Sequence, residues 1–330
     1  MKILVTGATG FVGSSLTRQL LAGGAEIRIL RRATSKMDLL GESAVNVEHV
    51  VGDVTDPASV HAAMQNITHV YHTAAAIIMG GPKSGRHQHH INVYGTACIV
   101  NAALHAGVKR LVHTSSIAAL GRREEPVMTQ TEHSVWRDSR LHTPYAVSKH
   151  LAELEIHRGI AEGLDAVMVN PSLILGPGRP GENTMMLAER LRQGRMPAVP
   201  IGGTNVVDVE DVATGHIKAM ARGRTGERYI LGSENLLWKE IMETLAAALG
   251  VASPTRRLKP RLALGLATIL EAWSQVTRKT PELTRTLAHN ISQVSRYSNS
   301  KATQELGCDF RPFAETAQRI ALAMVGPVAT

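Results

Sequence analysis

The sequence predicts an α/β fold in which a doubly wound parallel sheet is followed by a smaller, mostly helical C-terminal portion. Two observations predict it. Along the first half, short runs rich in β-branched residues alternate with segments of helical length, the pattern of βαβ units. After Pro171 the texture changes: Pro177, Pro180, Pro197 and Pro200 interrupt the chain, and helical patterns dominate from Trp238 onward. Residues 1–171 are therefore expected to form the sheet domain, with a later stretch, about 203–224, returning to it. Residues 172–330 are expected to form a second lobe over the crevice.

Strands are expected at Lys2 to Thr6, Glu26 to Leu30, Asn46 to Val51, His69 to Thr73, Arg110 to Ser115 and Asp165 to Asn170. Helices are expected at Phe11 to Ala22, Pro57 to Gln65, Ile91 to Ala106 and Pro144 to Ala161. Right-handed crossovers put the ligand crevice at the carboxyl ends of such strands, and the motifs below fall at those ends.

With 330 residues, 44% of them apolar and 19% charged, the chain can bury a sizeable core, and no apolar run is long enough to span a bilayer. The N-terminus reads as the first strand rather than a signal peptide, and Cys98 and Cys308 lie far apart. A cytoplasmic protein with reduced thiols is the expectation. The formal net charge of +8 is compatible with a polyanionic ligand, an acidic membrane surface or nucleic acid. Scattered arginine pairs and only 3% aromatics leave no stacking platform for bases, which argues against nucleic acid.

The chemistry starts at Val5-Thr6-Gly7-Ala8-Thr9-Gly10-Phe11-Val12-Gly13, where an apolar run ends in three glycines spaced three apart and an amphipathic stretch begins. Gly7 suits a tight turn, Gly10 a close approach of backbone to phosphate, and Gly13 a helix lying close on its strand. The N–H groups that open the helix would receive a dinucleotide diphosphate, with Thr9, Phe11 and Val12 beside it. Further on, Thr114-Ser115-Ser116 ends a strand and Tyr145-Ala146-Val147-Ser148-Lys149 opens a helix. Four residues apart, Tyr145 and Lys149 share a face. A phenol titrates near ~10, so a neighbouring ammonium is what makes it useful as an acid or base at neutral pH. Tyr297 and Lys301 repeat the spacing without a serine-bearing strand end upstream, and read as structural.

These residues resemble the extended short-chain dehydrogenase/reductases of the NAD-dependent epimerase/dehydratase superfamily. The resemblance rests on Thr6-Gly7-x-x-Gly10-x-x-Gly13, Asp53, Thr73-Ala74-Ala75-Ala76, Asn92-Val93-x-Gly95-Thr96, Thr114-Ser115-Ser116 and Tyr145-x-x-x-Lys149. It continues through Asn170-Pro171-Ser172, Gly176-Pro177, Val209-x-Asp211-Val212-Ala213 and Gly226-Glu227-Arg228-Tyr229. The chain is most similar to the dihydroflavonol-reductase-like branch. The resemblance implies a Rossmann-type fold and Tyr145 as general acid. It makes Lys149 the group that lowers the tyrosine pKa and binds the nicotinamide ribose, and Ser116 the donor to the substrate oxygen. Counting forward to Gly121 selects Ser116, with Ser115 as the fallback. Asp53 and Val54 are expected at the adenine, Thr73 and Ala74 to Ala76 along the pyrophosphate and ribose, and Pro171 and Leu173 at the nicotinamide. Asn92 and Thr114 complete the set, and dimerisation through the helices of residues 92–106 and 145–161 is a further expectation.

The second predicted strand runs through Ile29-Leu30 into Arg31-Arg32, where NAD-preferring relatives carry an acidic residue. Guanidinium groups suit a 2′-phosphate, so NADP(H) is expected, with NAD(H) as the alternative. Ala118-Ala119-Leu120 replaces a more polar loop, and no aromatic-histidine pair precedes Val206-Val207-Asp208. A less polar pocket follows, lined from Ile77, Ile78, Ile117, Ser172, Leu173 and Ile174, with Met185-Met186 read as core. The expected function is an NADPH-dependent reduction of a small-molecule aldehyde or ketone. The alternatives are a nucleotide-sugar epimerase or dehydratase with tightly bound NAD(P), and a non-catalytic NADP-binding regulatory or assembly protein.

Three other features are set aside. His87-Gln88-His89-His90 fits no common metal-ligand spacing and reads as a loop, so no metal is expected. Asp211 reads as an N-cap or structural anion. Leu262 to Val276, preceded by Arg256, Arg257, Lys259 and Arg261, reads as a packed or dimer-interface helix, with peripheral membrane contact as the alternative.

Overall fold

A computed structural model describes residues 1–77, 82–121, 129–139, 142–277 and 283–325. The strand β1 (Lys2–Thr6) buries every residue after Lys2, and Gly10 opens the helix α1 (Phe11–Ala22). β2 (Glu26–Arg31) and β3 (Glu48–Val51) follow; the expected start of β3 at Asn46 is instead the end of a 3-10 segment, Asp38–Asn46. The helix α2 (Pro57–Met64) is capped by Asp56, whose carboxylate accepts from the N–H groups of Ala58 and Ser59. After β4 (His69–His72) comes one helix in three parts: α3 (Pro82–His89), a π turn (His90–Tyr94) and α4 (Gly95–His105). The His87–His90 segment is thus helical, not a loop. It lacks the apolar period that signals a helix, yet Gln88 is buried and donates to the Ala76 carbonyl.

β5 (Arg110–Thr114) leads through a 3-10 turn (Ile117–Leu120) toward α5 (Pro144–Ala161) and β6 (Ala166–Pro171). The chain then leaves the main sheet through β7 (Leu173–Leu175), α6 (Asn183–Arg192), β8 (Val199–Pro200) and β9 (Gly203–Asp208). It comes back through α7 (Val209–Arg222), which packs on α1, and β10 (Arg228–Leu231). β11 (Glu234–Leu237), α8 (Trp238–Leu249), β12 (Arg257–Leu258), α9 (Pro260–Thr277), α10 (Arg285–Ile291) and α11 (Phe313–Val325) complete the chain.

The main sheet has seven parallel strands in the order β10-β6-β5-β4-β1-β2-β3. The strand order reverses between β1 and β4, and the crevice at that reversal is where such sheets bind ligands. β10 was not expected as a strand; at four residues, with its tyrosine and two aliphatics buried, it shows little period of its own. Its place is fixed by the open edge of β6, which it pairs from Arg228 against Met168 to Leu231 against Pro171.

One face of the sheet packs Ile3, Val5, Tyr71, Val112 and Val169 under α1 and α7. The other packs Leu4, Val70, Leu111 and Met168 against Val60, Ile99 and Ile156 of α2, α4 and α5. A third cluster, including Leu175, Val206, Ile241, Leu245, Phe313 and Ile320, joins the small sheet β11-β9-β7 to α8 and α11. Met185 belongs to this core, while Met186 is exposed.

Candidate active site

The glycine loop is built by contact. A Cβ on Gly7 would lie 2.6 Å from the backbone nitrogen of Ala74, and φ there is +72°, so only glycine lets β1 turn against the segment after β4. A Cβ on Gly13 would lie 2.2 Å from the Gly7 carbonyl oxygen, which is how α1 comes to rest on the loop. No side chain caps the first turn of α1, and no acidic residue stands in it. Its N–H groups are thus available to an anion.

The second half of the site lies at the ends of β5 and α5. Thr143 caps α5 by accepting from Ala146 N–H, and Pro144 fills the first helical position, which sets Tyr145 at the helix mouth. Ser116 begins the 3-10 turn, where its Oγ accepts from Ala118 N–H, and its hydroxyl lies close enough to the Tyr145 phenol to favour the phenolate. Burial pushes the Tyr145 pKa up, and the Ser116 hydroxyl opposes that by donating to the charged form. One turn on, Lys149 is 3% exposed and donates from Nζ to the Thr114 carbonyl oxygen at 2.8 Å. Burial lowers its pKa to about 8, against an upward pull from Glu153. Ser115 points elsewhere, donating to Glu153 Oε1 at 2.5 Å. The structure therefore brings Ser116, and not Ser115, to Tyr145.

Beneath these groups lies a polar layer on the α4/α5 side of the sheet. Glu153 accepts from Ser115 Oγ and from Asn170 Nδ2 at 2.7 Å, with Arg228 Nη1 at 3.5 Å. His72 bridges Thr6 Oγ1 and Thr96 Oγ1 at 2.7 and 3.0 Å. His113, its neighbour across the β4–β5 ladder, is buried with neither ring nitrogen hydrogen-bonded. Burial and the charge of Lys149 drive the pKa of His72 down to about 3, and drive that of His113 well below its ordinary value.

Residues 3–232 match the model of the NAD dependent epimerase/dehydratase family. The chain belongs to that family. Among its relatives, a Synechocystis sp. protein described as "Putative dihydroflavonol 4-reductase" is 36% identical over 92% of this chain and 88% of its own. A 2-alkyl-3-oxoalkanoate reductase of Stenotrophomonas maltophilia is 31% identical over 93% and 94%. The crystal structure of gox2253 superposes with a TM-score of 0.85 at 34% identity, covering 98% of both chains. As a member of the epimerase/dehydratase family with reductase relatives, the chain is an NAD(P)-dependent oxidoreductase.

The residues present fit a nicotinamide dinucleotide, because the glycine loop opens α1 on first-turn N–H groups that no side chain caps and no acidic residue opposes, the donor set a diphosphate needs. At the end of β2, Arg31 donates to His49 Nδ1 and to the Arg32 carbonyl, while the Arg32 side chain is exposed. Partial burial raises the Asp53 pKa, but hydrogen bonds from Thr55 and the charge of Arg32 more than offset this and hold the carboxyl below its usual range. Val54 packs on Gly95, and Thr73 Oγ1 donates to the Thr6 carbonyl. The Asn92 side chain is taken up by the protein: it accepts from Ala76 N–H and donates to the Ala76 carbonyl and Ser148 Oγ. With Gln88 one turn earlier, it fixes the segment that contains Ala74, Ala75 and Ala76.

Of the substrate-side expectations, Ile77 is exposed, whereas Ile117 packs on Leu120, Ile230 and Tyr297, and Ile174 on the α1/α7 core. Leu173 packs on the third core, Pro171 is buried at the end of β6, and Ser172 is buried with its hydroxyl unpartnered. Ile78 lies outside the described residues. Lys301 pairs with Glu227 at 2.5 Å and stands over the Tyr229 ring, in keeping with the structural reading of Tyr297 and Lys301. Asp211 is a structural anion that accepts from Arg311; the N-cap of α7 is Asp208.

Two groups escaped the sequence reading. Glu153 stands at i+8 from Tyr145, so helical spacing already puts it on the Tyr145–Lys149 face. Arg179 carries no such signal: it donates to the Thr9 carbonyl at 2.7 Å and pairs with Asp38 at 2.8 Å, tying the C-terminal elements to the glycine loop. Gly176 and Gly178 leave room beside it for the Phe11 ring.

Proposed function

We propose that this enzyme is an NADPH-dependent reductase of an aldehyde or ketone. The observation that carries the reading is the buried Tyr145 phenol close to the Ser116 hydroxyl, one helical turn from the buried Lys149, at the same carboxyl end of the sheet as the glycine loop. The bound nicotinamide supplies the hydride. Ser116 holds the carbonyl oxygen by donating to it, and Tyr145 delivers a proton from Oη to that oxygen as charge develops. The phenol is protonated at neutral pH, as a proton donor must be, and burial raises its pKa further. Lys149, charged below about pH 8, stabilises the phenolate that remains.

The N–H groups of α1 receive the diphosphate, and Asp53 and Val54 stand on the adenine side. Arg32, exposed just past the end of β2, favours a 2′-phosphate and hence NADPH over NADH. The elements after residue 172 other than α7 and β10, which return to the main sheet, form the substrate lobe, and the apolar loop Ala118-Ala119-Leu120 favours an apolar carbonyl compound over a polar one. The test is a screen of aldehydes and ketones for NADPH oxidation with the wild type and Tyr145→Phe. Turnover should fall by about two to four orders of magnitude with cofactor binding retained. Near-normal turnover of the variant, or a preference for NADH, would sink the corresponding part of the reading.

A further inference from the structure

The helix α9 is apolar on the wrong side. Its inward face is small: Ala263 and Ala267 are fully buried against Ala288 of α10, with Leu258, Leu264 and Leu283 around them. Its larger apolar side chains point outward. Leu262, Leu266, Ile269 and Trp273 are 63%, 46%, 67% and 64% exposed. They recur at intervals of four, three and four, so at about 100° per residue they form a single stripe roughly 60° wide. The one carboxylate of the helix, Glu271, is turned away to Arg285 of α10. Just before and at the start of the helix stand four exposed cations, Arg256, Arg257, Lys259 and Arg261. Among the described residues none of the four is ion-paired.

From this arrangement we infer that α9 docks the protein on an anionic bilayer surface, its apolar stripe entering the boundary between headgroups and acyl chains. Three features favour a bilayer over a second copy of the chain. The cations gather at the N-terminal end of the stripe, where lipid phosphates would neutralise them. Tryptophan closes the other end, and its ring suits the headgroup level. The stripe is four side chains, few against the roughly 20–30 residues that each partner contributes to a stable protein interface, whereas a shallow amphipathic helix needs no more. The docking is peripheral: among the described residues no helix is long and apolar enough to cross a membrane.

The experiment uses the full chain and sedimentation with unilamellar vesicles of phosphatidylcholine, alone or mixed with phosphatidylglycerol, at low and high salt. Binding should require phosphatidylglycerol and weaken as salt rises. It should fall at least about tenfold in Leu266→Glu/Ile269→Glu, and likewise when Arg256, Arg257, Lys259 and Arg261 are changed to glutamine, since each cation contributes at the surface. All these positions are exposed, so circular dichroism and thermal midpoints should match the wild type. The inference is overturned by absence of binding to the mixed vesicles or by binding that both variants retain. A dimer in sedimentation velocity that Leu266→Glu/Ile269→Glu dissociates, without vesicle binding, overturns it in favour of a second copy.

Discussion

Lys149 Nζ donates to the carbonyl oxygen of Thr114, the residue that ends β5 two positions before Ser116. This single bond ties the helix that carries Tyr145 to the strand end that carries its serine partner. It also leaves an ammonium in a nearly dry place.

That burial destabilises the fold. A lowering from 10.5 to about 8 corresponds to a cost on the order of 3 kcal/mol below pH 8, where folded and unfolded chains both carry the proton. Above about 10.5 neither does, and the cost vanishes. Lys149→Met should therefore raise the thermal midpoint at pH 7 by a few degrees while removing turnover, with the gain shrinking as pH rises between 8 and 10.5. Calorimetry across that range measures it; a lower midpoint at pH 7 would contradict it.

Glu153 acts on the chemistry through Lys149. Its carboxylate raises the lysine pKa, so Glu153→Gln should move the alkaline limb of the kcat profile to lower pH while leaving KM for the cofactor near the wild-type value. A change in stability with an unmoved limb would reduce Glu153 to a packing role. Glu153→Asp, which keeps the charge, should restore part of the profile.

Arg179 is expected to set cofactor affinity by holding the Thr9 carbonyl. Arg179→Ala should weaken NADPH binding about tenfold, or ~1.4 kcal/mol, with kcat changed little. Fluorescence titration of NADPH reads this directly, and an unchanged dissociation constant would show that the loop holds its shape without the arginine.

The buried histidines predict acid lability. His72 titrates near 3 and His216 near 4 when folded, chiefly because burial disfavours their charged forms, but near ~6.5 when unfolded. Their contribution is complete above about pH 6.5 and is lost as pH falls through the window below it. Urea midpoints between pH 4.5 and 7 should fall steeply. His113→Leu should flatten that slope and cost little at pH 7, since it removes two unpartnered ring nitrogens.

Six strands of the main sheet were legible because each is a short apolar run closed by a turn, and the element around each motif followed from it. Tyr145 and Lys149 were legible as neighbours because a helix alone decides what lies four residues apart. Ser116 required a count to Gly121, and the Ser115–Glu153 bond supplies the physical reason the two serines diverge. Arg179, Gln88 and β10 were not legible in the same way. Each is defined by a partner far along the chain: Thr9, Ala76 and the edge of β6. The polar helix of residues 82–89 shows the same limit, since what holds it is a buried amide and not an apolar stripe.

The late entry of β10 has a consequence for synthesis. β6 is complete at Pro171, but its partner ends at Leu231, so the nascent chain carries an unpaired hydrophobic edge for several seconds at ~5–20 residues per second. Chaperone demand should concentrate in that interval, and chains stalled between those two points should aggregate while chains released after residue 231 do not. The last strand of the sheet thus sets the moment at which the nascent protein becomes safe to leave uncovered.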